Sequence, residues 1–221
     1  MRNELHFVCL GDSLTAGNPG FSGYGTWSGN IESWFGYWLE KLTQETFPNI
    51  TAEFLNYGVG GDVVQQMVTR FNRDVRTQLD EFEYVLVMGG NNDVVWRGKT
   101  PRQCLQDLEL LFAQIQHAKA QVIALEILPV TMKHGFSWTK RKHVRYIKET
   151  NQGIHDLGVK MKIPVVNLYD ALADESNNCL AKPYDCGDGE HLSVAGYRKV
   201  GEVIFATYLQ PMLKNLLEKE K

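Results

Sequence analysis

Two short segments at opposite ends of the chain hold the residue types that nucleophilic acyl chemistry requires. Gly11-Asp12-Ser13-Leu14 follows the first apolar run, and Asp188-Gly189-Glu190-His191 opens the last amphipathic stretch. A serine hydroxyl becomes a useful nucleophile only when a positioned base takes its proton. An imidazole base in turn needs an acidic neighbour to fix its tautomer and stabilise the imidazolium. Ser13, His191 and Asp188 are candidates for those three parts, and the chemistry they would do together is ester hydrolysis. Each segment falls where a strand-to-helix sequence places it at the carboxyl edge of a sheet.

Acyl transfer builds negative charge on the carbonyl oxygen, so donors must be fixed where that charge develops. Two further segments offer them: Asn56-Tyr57-Gly58-Val59-Gly60-Gly61-Asp62 and Gly89-Gly90-Asn91-Asn92-Asp93. A glycine N–H and an asparagine amide are both suitable. Gly58-x-Gly60 also hints at a dinucleotide turn, but position 63 is Val where that fingerprint wants Gly or Ala. For Asn91 and Asn92 the plain alternative is turn chemistry.

Strand-like runs at 5–10, 54–59, 84–89, 122–127 and 165–170 alternate with helix-length segments. Short runs rich in Val and Ile between helices imply parallel strands covered on both faces, hence a three-layer α/β/α domain. Thr100-Pro101-Arg102-Gln103 supplies a capping box and a proline at the first helical position, followed by an apolar stripe from Leu105 to Ile115. Asp62 reads as the cap of a helix carrying Val64, Met67 and Phe71. A final helix starts near Ser193 and is broken or kinked at Pro211. The segment from Gly17 to Gly29 mixes Gly, Ser, Asn and Pro with Phe21, Tyr24 and Trp27. It reads as a loop whose aromatic residues either pack on their own domain or line a pocket, the second use being a candidate substrate-binding role.

The series GDSL at 11–14, NYGVGGD at 56–62, GNND at 90–93 and DGEH at 188–191 resembles, in order, the four blocks of the SGNH hydrolases, also known as GDSL esterases and lipases. The resemblance runs over nearly the whole chain and implies one SGNH/GDSL hydrolase domain over 1–221. It implies a flavodoxin-like sheet of about five parallel strands in the order 2-1-3-4-5. By resemblance Ser13 is the nucleophile, His191 the base and Asp188 its orienting acid, with no cofactor and no metal. Ser13 and Gly61 would give backbone N–H groups to the oxyanion hole and Asn92 its side-chain amide. The family spans simple and aryl esters, lysophospholipids, thioesters and acetylated carbohydrates, and nothing in the chain selects one.

The bulk properties agree. The chain has 221 residues, 43% of them hydrophobic and 11% aromatic, enough for one well-buried core. A formal charge of −3 from 23 basic and 26 acidic side chains sets up no field for nucleic acid or an anionic membrane, and a small-molecule ester is the expected partner. No apolar stretch approaches the roughly 20 residues that span a bilayer, and the N-terminus lacks a signal-peptide pattern. That reads as cytoplasmic, although a trimmed secreted form would look the same. Four scattered cysteines do not make a disulfide framework: Cys9 and Cys104 read as packed thiols, whereas Cys179 and Cys186 bracket a loop and a bridge between them is the less favoured reading. Asp12 reads as a brace for neighbouring backbone. His6, His117, His134, His143 and His155 lack motif context, and Lys140, Arg141, Lys142, Arg145 and Lys148 read as a solvated helix face. Two rivals keep the same fold: an acyltransferase that passes the acyl group to an alcohol or sugar hydroxyl, and a binding module without catalysis. The second would not need Ser13, Asn92, Asp188 and His191 together.

Overall fold

The structure is a computed structural model and describes residues 4–22, 28–79, 81–131, 137–176 and 178–219. Five parallel strands form the sheet: β1 (Glu4–Gly11), β2 (Thr51–Gly58), β3 (Tyr84–Met88), β4 (Gln121–Leu125) and β5 (Val165–Val166). Counted within this sheet, the order is β2-β1-β3-β4-β5, that is 2-1-3-4-5. A two-stranded antiparallel ribbon, Phe21–Ser22 with Ser28–Gly29, lies between β1 and β2 in sequence, so numbers taken over all strands differ while the topology does not.

Strand alternation splits the core in two. Phe7, Cys9, Phe54, Leu86, Met88, Ile123 and Leu125 point to one face, while Val8, Leu10, Val85, Val87, Val122 and Ala124 point to the other. The first face is covered by α2 (Phe35–Thr46), α7 (Val194–Ile204) and α8 (Gln210–Lys219), the second by α3 (Val64–Arg70), α4 (Pro101–His117) and α5 (Ser137–Met161). Phe7 stacks between Phe54 and Tyr84 at centroid distances of 4.6 and 4.7 Å, so three adjacent strands share one aromatic row. Two one-turn helices complete the set: α1 (Ser13–Ala16), directly after β1, and α6 (Tyr169–Leu172).

Several local expectations hold. Thr100 Oγ1 accepts from Gln103 N at 3.3 Å while Gln103 Oε1 accepts from Thr100 N at 2.9 Å, the reciprocal box that starts α4. Ser193 Oγ caps α7 by accepting from Gly196 N at 3.2 Å. Four details differ. The helix after Gly61 begins at Val64, and Asp62 does not cap it: its carboxylate pairs with Arg70 instead, and Gln66 Oε1 takes the Val63 N–H. The last strand stops at Val166 because the Glu126 carboxylate captures the N–H groups of Leu168 and Tyr169, both at 3.0 Å, and turns the chain into α6. Pro211 stops nothing. A π-helical stretch, Phe205–Leu209, lies just before it and α8 continues with Pro211 in its first turn. Phe21 stands in the short antiparallel ribbon, not a loop, and is buried in the first core, where it stacks on Trp34. Tyr24 and Trp27 lie outside the described residues.

All four cysteines are free thiols, Cys9 and Cys104 buried. Of the basic run on α5, Lys142, Arg145 and Lys148 are exposed, with Arg145 paired to Glu149; the side chains of Lys140 and Arg141 lie outside the description. Among the described residues no helix is long and apolar enough to cross a membrane.

Candidate active site

The loops at the carboxyl ends of β1, β2, β3 and β5 converge, as they must in a doubly wound sheet. Ser13 is the first residue of α1. Asp12, in extended conformation, caps that turn by accepting from Leu14 N at 3.0 Å. The turn presses against β2 so closely that a Cβ at Gly58 would lie 2.1 Å from Ala16 N, a position only glycine can occupy. Asn56 locks the contact. Its amide donates to Ala16 O at 3.1 Å while its carbonyl accepts from Gly58 N at 3.0 Å. Ser13 is thereby held in place and is buried, with 8% of its surface exposed.

The donor segments sit beside it. Gly61 has φ +81°, where side chains are strained, and a Cβ there would meet nothing, so conformation and not space requires the glycine. Arg70 secures this loop from below: its Nε donates to Asp62 Oδ2 at 2.6 Å and one terminal nitrogen donates to Gly11 O and Tyr57 O at 2.9 and 2.8 Å. A single buried guanidinium thus ties the exits of β1 and β2 together. After β3, Asn92 opens a π-helical turn (Asn92–Trp96), and its amide donates to Asp62 O at 2.9 Å and lies 3.5 Å from Asp12 Oδ2. Asp93 anchors the turn, accepting from Val64 N at 3.0 Å and pairing with Lys99 at 2.8 Å. Asn91 is also buried, but its amide has no hydrogen-bond partner among the described residues. Of the two asparagines, Asn92 faces the site.

The fourth loop brings His191. Its Nε2 lies 3.0 Å from Ser13 Oγ and its Nδ1 2.7 Å from Asp188 Oδ2. Asp188 Oδ1 accepts from the backbone N–H groups of Glu190 and His191, both at 2.8 Å. Asp185 performs the same service one turn earlier, accepting from Gly187 N and Gly189 N at 2.7 and 2.9 Å. Partial burial works against the charged form of Asp188. The N–H groups of His191 and Glu190, with the imidazole, outweigh it and hold the carboxyl well below the usual carboxylate range. Asp12 goes the other way: burial first, then the charges of Glu190, Asp93 and Asp62, push it up to about 7 against the single Leu14 N–H that favours its ionised form.

The structure therefore brings Ser13, His191, Asp188, Asn92 and the Gly61 loop to one edge, and leaves Phe21 in the core. His6 and His155 are engaged elsewhere, by Glu4, Glu53 and Glu83 and by Glu126; His134 lies outside the described residues. Asp185, Cys186 and Asp188 place possible ligand atoms within 4.8 Å of one another, but Asp188 is committed to His191. Asn56, Arg70, Asp93 and Lys99 support the site without any local signature that singles them out. Asn56 and Asp93 stand inside the second and third blocks, whereas Arg70 hides in a helical stripe.

A family model described as the GDSL-like lipase/acylhydrolase family matches residues 9–199. No curated protein matches the chain. Solved structures share its fold at low identity. A lipase/acylhydrolase from Enterococcus faecalis superposes with TM-score 0.69 at 21% identity, covering 90% of this chain and 93% of that one. A variant of an acetyl-xylooligosaccharide esterase from Geobacillus stearothermophilus superposes with TM-score 0.71 at 19% identity, covering 93% and 95%. A GDSL-like lipase from Bacteroides thetaiotaomicron gives 0.64 at 22% identity, covering 98% and 89%.

Proposed function

The chain belongs to the GDSL-like lipase/acylhydrolase family, and from that premise we propose that it is a serine esterase working through an acyl-enzyme at Ser13. The observation that carries this reading is the relay from Asp188 through His191 to Ser13, at 2.7 and 3.0 Å, in a chain that otherwise separates these residues by up to 178 positions. Ser13 Oγ attacks the ester carbonyl carbon while its proton passes to His191 Nε2. Asp188 holds the other ring nitrogen as the N–H tautomer and stabilises the imidazolium. The C=O π pair moves onto oxygen, where the backbone N–H groups of Ser13 and Gly61 and the amide of Asn92 receive the charge. Collapse re-forms the carbonyl and expels the alkoxide, which takes the proton from His191. Water then repeats the sequence on the acyl-enzyme and releases the acid.

Asn92 suits its part because one amide hydrogen is anchored on Asp62 O at 2.9 Å while the other faces Asp12 Oδ2 at a loose 3.5 Å. The first fixes the group, and the second is long enough to be exchanged for an oxyanion. The test is a serine-directed phosphonate followed by peptide mapping, run beside a chain-length series of chromogenic esters with the parent and Ser13→Ala. We expect the label on Ser13 and no turnover above background in the variant. Label on another residue, or turnover that survives Ser13→Ala, counts against the reading. Product analysis with an added acceptor alcohol separates hydrolysis from acyl transfer.

A further inference from the structure

Two side chains at the mouth of the site have no part in the mechanism above. Trp96 ends the turn that begins at Asn92, and 54% of its surface is exposed, although it is the bulkiest apolar group of that turn. An exposed indole offers a large, rigid aromatic face with a polar edge. Its indole N–H donates to Glu190 Oε1 at 2.6 Å, across 94 positions of sequence, joining the turn that carries Asn92 to the loop that carries His191. A bond at the ring edge holds that edge at Glu190 and leaves the ring faces clear of the carboxylate.

Which half of the substrate meets this pair follows from the chemistry. His191 Nε2 returns its proton to the departing alkoxide, so groups flanking His191 flank the alcohol half of the ester, and Glu190 is the residue directly before it. The charges nearby are also telling. Asp62 is paired with Arg70 and Asp93 with Lys99, whereas no cation pairs with Glu190 among the described residues. An uncompensated carboxylate at the edge of a fixed, exposed indole is a site for a cation, because Trp offers the best aromatic face for one and the carboxylate adds Coulomb attraction.

We propose that Trp96 and Glu190 form the alcohol-side subsite and select esters whose leaving alcohol carries an ammonium or quaternary ammonium group, stacked on the indole with Glu190 as counter-ion. This rests on the acyl-enzyme reading of the site. A neutral alcohol of the same shape forfeits both attractions.

The experiment compares acetylcholine with its uncharged isostere 3,3-dimethylbutyl acetate, two esters that differ in one charge and hardly in shape. A cation over an indole face is favoured by roughly 3- to 30-fold, and the carboxylate adds to it, so the parent should prefer the cationic ester by about 10-fold or more in kcat/KM. Trp96→Ala and Glu190→Gln should each bring the ratio toward one, with Trp96→Phe between. Glu190→Gln keeps an oxygen acceptor for the indole, so it isolates the charge. A parent ratio near one, with both esters hydrolysed, overturns the subsite and leaves the esterase reading standing. A preference that survives both variants overturns its assignment to this pair. An equal loss on a neutral acetylated sugar in Trp96→Ala would make the surface an uncharged stacking platform and overturn the role of charge. Binding of tetramethylammonium, followed by the indole N–H resonance that disappears in Trp96→Phe and compared with tert-butanol, decides the matter independently of turnover: no selective shift overturns the proposal even if no ester is cleaved.

Discussion

The two halves of the site are built in opposite ways. The nucleophile and donor half is buried and held from a distance: Asn56 reaches Ala16 across 40 positions, Arg70 reaches Gly11 across 59, and Asn92 reaches Asp62 across 30. The base half is partly exposed and is shaped by its own local bonds. Asp185 and Asp188 bond backbone N–H groups two to four residues on, and ties such as Thr131 N to Gly189 O join the loop to the rest. The difference separates two kinds of damage. A change in the base loop should remove chemistry and spare the fold, while a change beneath the nucleophile should cost stability before it touches chemistry.

His191→Ala is expected to show the largest effect, a fall of about 10^4- to 10^6-fold in kcat with an unchanged melting curve. Ser13→Ala should match it, and the double variant should lose little more, since the pair acts as a unit. Additive losses would break the shared mechanism, and a lowered melting temperature for His191→Ala would break the claim that the base loop is energetically separate.

Arg70→Met tests the other half. Removing the guanidinium leaves Asp62 buried without its cation and takes one donor away from each of the Gly11 and Tyr57 carbonyls, a loss of about 3–5 kcal/mol. Urea denaturation should register it, while the fraction still folded should retain measurable turnover. A stability within 1 kcal/mol of the parent would mean that the buried network is dispensable. Asn92→Ala should fall between the two kinds, cutting kcat by about 100- to 1,000-fold with a smaller change in KM. Asn91→Ala is its control, and a larger loss there would move the donor by one residue.

The smallest effect concerns Asp12. Its carboxyl is raised in the folded state to about 7 from an ordinary 3.8, so the folded protein holds this proton more tightly than the unfolded chain. Stability from this group is therefore intact in acid, declines as pH rises from about 4 to about 7, and stays reduced above that. Asp12→Asn keeps an acceptor for Leu14 N and removes the titration. Its melting temperature relative to the parent should climb by a few degrees between pH 4 and pH 8, measured by paired thermal melts. A constant difference across that range would refute the linkage.

The same division explains what could be read from the sequence. The base loop is legible because its geometry is local: one tetrapeptide holds the acid, the base and the turn between them. The short apolar strand runs and the Thr100 capping box are local too, and the sheet order came with the family resemblance. Asp62 misleads because an acid before a helix usually caps it, and a buried Arg70 two turns on outbids the backbone for the carboxylate. Phe21 misleads for a similar reason. A Gly-rich neighbourhood reads as loop, but the ring finds Trp34, thirteen residues away, and burial decides its fate. The bond from Trp96 to Glu190 joins residues 94 apart, and no spacing rule forecasts such a meeting.

The 178 positions between Ser13 and His191 also set a timetable. As the chain is synthesised, β1 and Ser13 leave the ribosome ahead of the Gly61 and Asn92 segments, and His191 follows only after all five strands and the helices α2 to α5. A nascent chain can thus assemble its sheet and cover the second face before the segment around His191, with α7 and α8 behind it, completes the first face and closes onto the beginning.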